Sequence, residues 1–233
     1  PMGFSFSPGV GEDGKSELSV IRFSQDWIKR SPYDVFAARS SFNFGLDAFD
    51  STINEDLPDS KFFTWLGQFQ YVRRLNFDVL KFDRLKRSQI IFRTDFQWAE
   101  EDLLPLEKLS IGGSTTVRGY RENLLTRDNG MISSLEWRIP VHNLRIKGIS
   151  KTPEDGEIYL APFIDYGSSW NTDVITPEPR SISSVGLGLR WNPNRAINAQ
   201  VYWGHALRNI EEPDEKNLQD DGIHFELSLR VPF

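Results

Sequence analysis

The segment Gly222–Phe233, GIHFELSLRVPF, alternates strictly between apolar and polar residues. Its odd positions from 223 to 233 are all apolar, and its even positions from 224 to 230 are all polar. Successive side chains of a β-strand point to opposite faces, so this period of two predicts a strand. One face of the strand is suited to an apolar environment and the other to water.

The same alternation recurs along the chain. It is clear in MISSLEWRIPV and SQIIFRTDFQW, which span residues 131–141 and 88–98. It is noisier in VFAARSSFNFGL (35–46), FFTWLGQFQYV (62–72), EIYLAPFIDYG (157–167), SVGLGLRW (184–191) and INAQVYWG (197–204). No helical period is of comparable quality, so the pattern predicts an all-β chain of about ten strands.

The connections between these segments separate two all-β architectures. Short turns such as KRSPYD and NPNRA alternate with long polar loops: DAFDSTINEDLPDS (47–60), WNTDVITPEPRS (170–181) and RNIEEPDEKNLQDDG (208–222). The exception is RRLNFDVLKFDRLKR (73–87), which is long for a turn at the short end, and we interpret part of it as extensions of the flanking strands. An antiparallel transmembrane β-barrel predicts this asymmetry, together with a polar lumen and aromatic girdles. A soluble β-sandwich and a plain porin remain alternatives. The barrel interpretation places the long loops outside the cell.

The charge and the residue types of the chain argue against several functions. A net charge of −6 with dispersed basic residues argues against binding to nucleic acid. The chain contains no cysteine, and its three histidines lie in separate segments without the spacing of metal ligands. No Gly-x-Ser-x-Gly elbow and no phosphate-binding loop occur. We therefore expect no enzyme, no catalytic residue, no metal and no cofactor.

The segment Ile111–Gly130, IGGSTTVRGYRENLLTRDNG, is rich in turn residues but contains a specific core. That core is Val117, Arg118, Gly119 and Tyr120. It resembles the loop of the β-barrel superfamily that contains the outer-membrane assembly factors and the two-partner secretion transporters. In those sixteen-stranded barrels the loop follows strand eleven and folds back into the lumen.

A second motif supports the resemblance. FIDYG at residues 163–167 has the Phe-x-Asp-x-Gly pattern, and it lies in the second strand after the loop. In the superfamily the arginine of the loop docks on this strand. The resemblance therefore implies that Arg118 contacts an inner wall carrying Phe163, Asp165 and Gly167.

The residues themselves agree with that implication. The alternation in EIYLAPFIDYG places Asp165 on the lumen face, where an inserted loop would arrive. A guanidinium out of water needs a carboxylate partner, and Glu136, which faces the lumen on the intervening strand, is the natural second acceptor. Gly119 permits a tight turn, and Gly167 leaves space on the wall. The alternative is that Arg118 is an ordinary solvated arginine.

Longer stretches resemble one branch of the superfamily. SVIRFSQDW, FAARSSFNFGLDA, FFTWLGQFQYVRRL and TVRGYRENLLTRDNG are similar to the C-terminal half of two-partner secretion transporters of the hemolysin-activation and filamentous-hemagglutinin type. Residues 1–233 then form a single barrel domain that corresponds to strands seven to sixteen, with GFSFSPG as a remnant of the seventh. The upstream strands and periplasmic domains of the family are absent from this chain.

The resemblance implies both a location and a set of partners. The terminal Phe233 resembles the C-terminal signal that the barrel assembly machinery reads in bacterial outer-membrane proteins. The expected function is a translocation pore in the outer-membrane lipid bilayer that secretes a partner exoprotein from the periplasm. The alternative within the superfamily is a factor that assembles and inserts outer-membrane barrels.

Overall fold

The computed structural model describes residues 17–48, 51, 58–75, 87–210 and 221–230. Eleven β-strands lie in these ranges: β1 (Ser19–Arg30), β2 (Asp34–Leu46), β3 (Phe63–Arg74), β4 (Gln89–Ala99), β5 (Leu109–Ile111), β6 (Leu125–Arg127), β7 (Asn129–Asn143), β8 (Glu157–Trp170), β9 (Ser181–Asn194), β10 (Ile197–Ala206) and β11 (Ile223–Leu229). Within the same ranges, no helix is long and apolar enough to cross a membrane.

Nine of the strands form one antiparallel sheet. Its order is β1-β2-β3-β4-β7-β8-β9-β10-β11, so sequential strands are neighbours throughout. The short strands β5 and β6 pair separately as a hairpin between β4 and β7. This all-β meander confirms the predicted architecture, and the nine strands agree with the estimate of about ten.

On β7 to β10, where the hairpin packs, one face of the sheet carries exposed apolar side chains and the opposite face carries mostly polar side chains that are buried or half-buried. On β8, Ile164 and Tyr166 are exposed, whereas Asp165 between them is fully buried. On β7, Leu135 is exposed and Glu136 is buried. On β11, Phe225 is 72% exposed. A soluble sandwich would bury these apolar side chains, so the exposed apolar face argues for a sheet that stands in lipid.

Aromatic side chains cover the apolar face of the first four strands. Phe23, Phe42 and Phe63 lie side by side across β1, β2 and β3, with ring centroids 6.4 Å apart for each neighbouring pair. Trp65 on β3 packs edge-on against Phe96 on β4 at 5.4 Å. These cross-strand pairs fix the register of the strands.

The lengths of the connections alternate less sharply than the sequence predicted. The turns 31–33 and 195–196 are short, and they lie at the same end of the sheet as the connection 144–156. That connection is long because it continues the sheet locally: Leu144 N–H donates to Gly156 O, and Gly156 N–H donates to Asn192 O, both at 2.7 Å. Asp155 closes the turn by accepting from the N–H groups of Lys151 and Thr152.

The hairpin between β4 and β7 lies on the polar face of the sheet. Its connection, residues 112–124, is called the VRGY loop below. Six buried side chains join it to the sheet: Ile111, Val117, Tyr120, Leu125, Ile132 and Ile182. Because Ile132 and Ile182 belong to β7 and β9, the hairpin packs against the sheet itself. The fold thus inserts the loop on the side that the alternation marks as polar.

Some predicted features lie outside the described residues. They are the terminal Phe233, the segment GFSFSPG, residues 76–86 before β4, and most of the loops 47–60 and 208–222. The strands that flank those two loops end on the same side of the sheet as the connection 171–180.

Candidate functional site

Arg118 lies at the centre of a buried polar cluster between the VRGY loop and the sheet. Its Nε and Nη2 donate to the two carboxylate oxygens of Asp165, each at 2.8 Å. Its Nη1 donates to Glu136 Oε2 at 2.6 Å, and its Nη2 also donates to Ser134 Oγ at 3.1 Å. The backbone N–H of Arg118 donates to Asp165 as well, at 3.1 Å. The fork of the guanidinium thus holds one carboxylate with two parallel bonds and a second with one.

A second layer of polar groups holds Glu136 in place. Arg138 Nε donates to Glu136 Oε1 at 2.6 Å, and Tyr202 Oη donates to Glu136 Oε2 at 3.0 Å. Arg190 in turn donates to Tyr202 Oη at 2.8 Å. Arg118 and Arg138 therefore pair directly with the carboxylates of Glu136 and Asp165, so each buried carboxylate has a cationic partner. Balanced and hydrogen-bonded charges are the condition under which ion pairs are tolerated away from water.

Two aromatic rings sandwich the guanidinium of Arg118. Its Cζ lies 3.6 Å from the ring centroid of Phe163 and 4.7 Å from that of Tyr202. Stacking of this kind adds a cation–π attraction and excludes water from the ion pairs. It also explains why the inner-wall motif contains a phenylalanine two residues before the aspartate.

Burial and the neighbouring charges act in opposite directions on the pKa of Arg118. Burial alone would lower the pKa of its guanidinium, but the hydrogen bonds and charges of Asp165 and Glu136 raise that pKa above the ordinary value. Arg118 is 4% exposed, and Asp165 is fully buried. The cluster is therefore a desolvated ion-pair network, in contrast to the solvated arginine of the alternative interpretation.

The remaining residues of the motif are also in contact with the sheet. Val117 is fully buried in the apolar cluster of the hairpin. Tyr120 Oη donates to Ser183 O at 2.9 Å and accepts from Arg208 N–H at 3.1 Å. Gly119 has a positive φ of 92°, which a glycine adopts without strain. All four residues Val117 to Tyr120 thus face the sheet.

A second set of polar contacts holds the base of the hairpin, and these contacts were not predicted from the sequence. Arg127 donates to the carbonyl oxygens of Ser169, Pro177 and Pro179 at 2.7–2.9 Å. Asp128 pairs with Lys108 at 2.9 Å and accepts from Leu103 N–H. The run Arg-Asp-Asn at 127–129 in the quoted segment was the available signal, because charged residues at the start of a buried strand require partners.

Tyr202 and His224 were also missed. Both lie on the polar face of paired strands, where they are directly opposite each other in register. Alternation within INAQVYWG and GIHFELSLRVPF indicates that face, but it does not indicate contact with a loop more than eighty residues upstream. Only the closure of the hairpin onto the sheet brings them to Arg118 and Gly119.

Gly167 lies where two side chains of the hairpin pack closely on β8. A Cβ at this position would lie 2.5 Å from Ile111 Cγ2 and 3.0 Å from Val117 Cγ2. We predict that Gly167→Ala pushes the hairpin outward and lowers the free energy of unfolding of the full-length protein by about 1–3 kcal/mol. Denaturant unfolding in detergent measures this loss.

The matched control is Gly67→Ala, since a Cβ there would meet nothing closer than 3.6 Å. Equal stability of the Gly167 and Gly67 variants would contradict the tight packing of the hairpin on β8.

Comparisons with known proteins identify the family of the chain. A family model described as haemolysin secretion/activation protein ShlB/FhaC/HecB matches residues 13–191, well over half of the chain. That range includes both the VRGY loop and the FIDYG motif. None of the curated proteins compared matches the sequence.

Solved structures show the same fold at low sequence identity. CdiB from Escherichia coli has a TM-score of 0.68 at 18% identity, over 91% of this chain and 36% of CdiB. CdiB from Acinetobacter baumannii has a TM-score of 0.60 at 18% identity, over 89% of this chain and 34% of that protein. BamA from Haemophilus ducreyi lacking POTRA domains 1–3 has a TM-score of 0.58 at 13% identity, over 90% of this chain and 41% of the BamA chain.

The chain thus spans between 34% and 41% of the length of each of these proteins. The fold is that of the C-terminal portion of an antiparallel transmembrane β-barrel, with the polar face as its inner wall. The chain belongs to the family of haemolysin secretion/activation proteins of the ShlB, FhaC and HecB type.

Proposed function

We propose that the protein to which this chain belongs is a translocation pore of the bacterial outer membrane that secretes a partner exoprotein. The family match supports secretion as the role. The observation that carries the proposal is the VRGY loop, which is anchored on the inner wall by Arg118, Asp165 and Glu136. A loop placed there stands where a translocated chain passes, so its position controls the width of the path.

The inner wall beside the loop is suited to an unfolded polypeptide. On β1–β4 it presents a groove of about 500 Å³. Polar side chains (Asp26, Arg39, Gln68, Gln70, Arg93 and Asp95) and apolar residues (Ile28, Ala37, Ala38 and Phe69) both line it. Many of these groups already satisfy each other; Arg39, for example, donates to both oxygens of Asp26. An extended chain meets short-lived polar contacts there, interspersed with small areas of apolar surface.

In the transport step that we propose, the protein catalyses no reaction. The exoprotein enters unfolded from the periplasm and folds outside, and that folding gives the movement its direction. We propose no catalytic residue, cofactor or metal for this step. The lipid bilayer contacts the apolar face, and the barrel assembly machinery inserts the protein.

A second candidate function is supported by the likeness to BamA. That structure shares the fold at a TM-score of 0.58, so a factor that assembles outer-membrane barrels also fits the geometry. The two functions differ in what is lost when the protein is absent. A secretion pore serves one partner, whereas an assembly factor serves most outer-membrane barrels.

The test is deletion of the gene for the full-length protein. We expect one exoprotein to disappear from the culture medium while the set of folded outer-membrane barrels stays unchanged, as measured by mass spectrometry of both fractions. Restoring the full-length gene should restore that exoprotein. A general loss of folded barrels with secretion intact would favour the assembly factor instead.

A further inference from the structure

The tip of the VRGY loop has an anchor that is separate from the ion-pair cluster. The backbone N–H of Gly119 donates to Nε2 of His224 at 3.1 Å. His224 lies on the polar face of β11 and is 7% exposed. Arg118 binds β7 and β8, so the tip is held on both sides: by side chains of β7 and β8, and by an imidazole of β11.

Three glycines, one in the tip and two in the sheet, allow the two backbones to approach each other closely. A Cβ on Gly204 of β10 would lie 2.7 Å from the nitrogen of Gly119, and a Cβ on Gly119 would lie 2.8 Å from Gly204 O. A Cβ on Gly222, just before β11, would lie 2.0 Å from Gly204 O. The backbone of the tip therefore packs directly against the backbone of the sheet. Next to this contact, His224 accepts the hydrogen bond from the N–H of Gly119.

The hydrogen bond depends on the protonation state of His224. Nε2 accepts from an N–H only when it carries no proton, and a protonated imidazole has donors at both nitrogens. Protonation would therefore place two donors face to face and add a cation beside the guanidinium of Arg118. Histidine is the side chain whose unperturbed charge changes between about pH 5 and 8.

The groups that face His224 come from each element packed around it. The VRGY loop contributes Arg118, which opposes a second cation, and Glu122, which favours one. β8 contributes Asp165, which is already held by two bonds from Arg118. β10 contributes the phenol of Tyr202, opposite His224 in register, and β11 itself carries Glu226, which accepts a hydrogen bond from Gln200.

We propose that His224 is a titratable latch that holds the tip of the VRGY loop on the last strand and releases it when the imidazole is protonated. The guanidinium of Arg118 stays protonated at every pH at which the imidazole titrates, so its cluster does not share this switch. The consequence for transport, an altered path for the exoprotein at acidic pH, rests on the proposed function. The movement of the tip does not.

The test measures the position of the loop in the full-length protein. This chain has no cysteine, so Thr115→Cys and Leu187→Cys supply its two thiols for spin labels once any cysteine upstream is replaced. Thr115 is exposed in the loop, and Leu187 is exposed on the lipid side of β9. Pulsed electron paramagnetic resonance then gives the distance distribution between the labels at pH 7.5 and pH 5.

We expect one narrow distance at pH 7.5 and a second, broader population at pH 5, with the ratio of released to seated tips rising about tenfold. His224→Gln keeps an amide oxygen as acceptor and does not titrate, so this variant should keep the seated distance at both pH values. His205→Gln is the matched control, because His205 lies on the opposite face of β10, and it should respond like the wild type.

Two results would overturn the latch. One is a distance distribution in the wild type that is the same at both pH values, and the other is a pH response that persists in His224→Gln. Secretion of an exoprotein is measured separately on the same variants. A protein that moves its loop but secretes nothing would therefore refute the proposed function and leave the latch standing.

Discussion

Replacing Arg118 by alanine is expected to abolish most secretion of the partner exoprotein while leaving barrel assembly largely intact. The variant removes the four side-chain hydrogen bonds that join the loop to Asp165, Glu136 and Ser134. It also leaves the buried carboxylate of Asp165 without its arginine, while Glu136 keeps only Arg138 as a cationic partner. The nine-stranded sheet keeps its own hydrogen bonds, so the damage is local to the loop.

The size of the effect follows from burial. A solvent-exposed ion pair is worth under about 1 kcal/mol, whereas removing one partner of a buried network costs about 3–5 kcal/mol. At 4% exposure, Arg118 belongs to the second class. A loss of that size is enough to shift the loop from mostly seated to mostly released.

Arg118→Lys and Arg93→Ala complete this experiment. Lysine keeps the charge but not the planar fork that grips both oxygens of Asp165, so it should rescue secretion only in part. Arg93 also belongs to the inner wall, in the groove where contacts with an extended chain are short-lived and shared among many side chains, so its alanine variant should secrete almost normally. Secretion is measured by immunoblot of the medium, and assembly by heat-modifiable mobility of the folded barrel. Normal secretion by Arg118→Ala would contradict the account.

Leu227→Arg is expected to lower the stability of the barrel in the bilayer by about 2–4 kcal/mol. Leu227 is 53% exposed on the apolar face of β11, opposite Ala199 in register. An arginine there must stand in hydrocarbon or reach for the interface, which is costly near the midplane. Unfolding in urea, with the full-length protein reconstituted in lipid vesicles, measures the loss.

Ser228→Arg is the matched variant one residue further along. Ser228 pairs with Asn198 and points to the inner wall, where water solvates a guanidinium. Its stability should stay close to that of the wild type. Because neighbouring residues of a strand face opposite sides, equal losses at 227 and 228 would be incompatible with a membrane-facing β11.

Local patterns were sufficient to predict the strands and their faces. Alternation in EIYLAPFIDYG placed Asp165 on the inner face and Ile164 on the outer face. In the structure Asp165 is fully buried and Ile164 is 48% exposed. This works because the side-chain period of a strand is fixed by geometry, independent of what packs on the sheet. The contact of Arg118 with Asp165 and Glu136 came from the motifs and from the need of a buried guanidinium for carboxylates.

The partners that sequence reasoning missed depend on long-range packing. His224 meets Gly119 across 105 residues, and Tyr202 covers a guanidinium that enters from a different segment. No local period encodes such contacts, because they arise only when the hairpin closes over β10 and β11. The length of the connection 144–156 was missed for a related reason, since its backbone pairs with Asn192 of β9.

The most direct test of the central claim is a double-mutant cycle of Arg118→Ala and Asp165→Ala in the full-length protein. The measured quantity is the free energy of unfolding of the barrel, with secretion recorded on the same four proteins. If Arg118 and Asp165 hold the loop as a coupled pair, the double variant should be little worse than either single variant. The coupling energy should then be close to the loss caused by one single variant, at or above the upper end of the range of about 0.5–3 kcal/mol found for interacting residues. Losses that simply add would contradict the claim and would mean that the loop is held on the inner wall by other contacts.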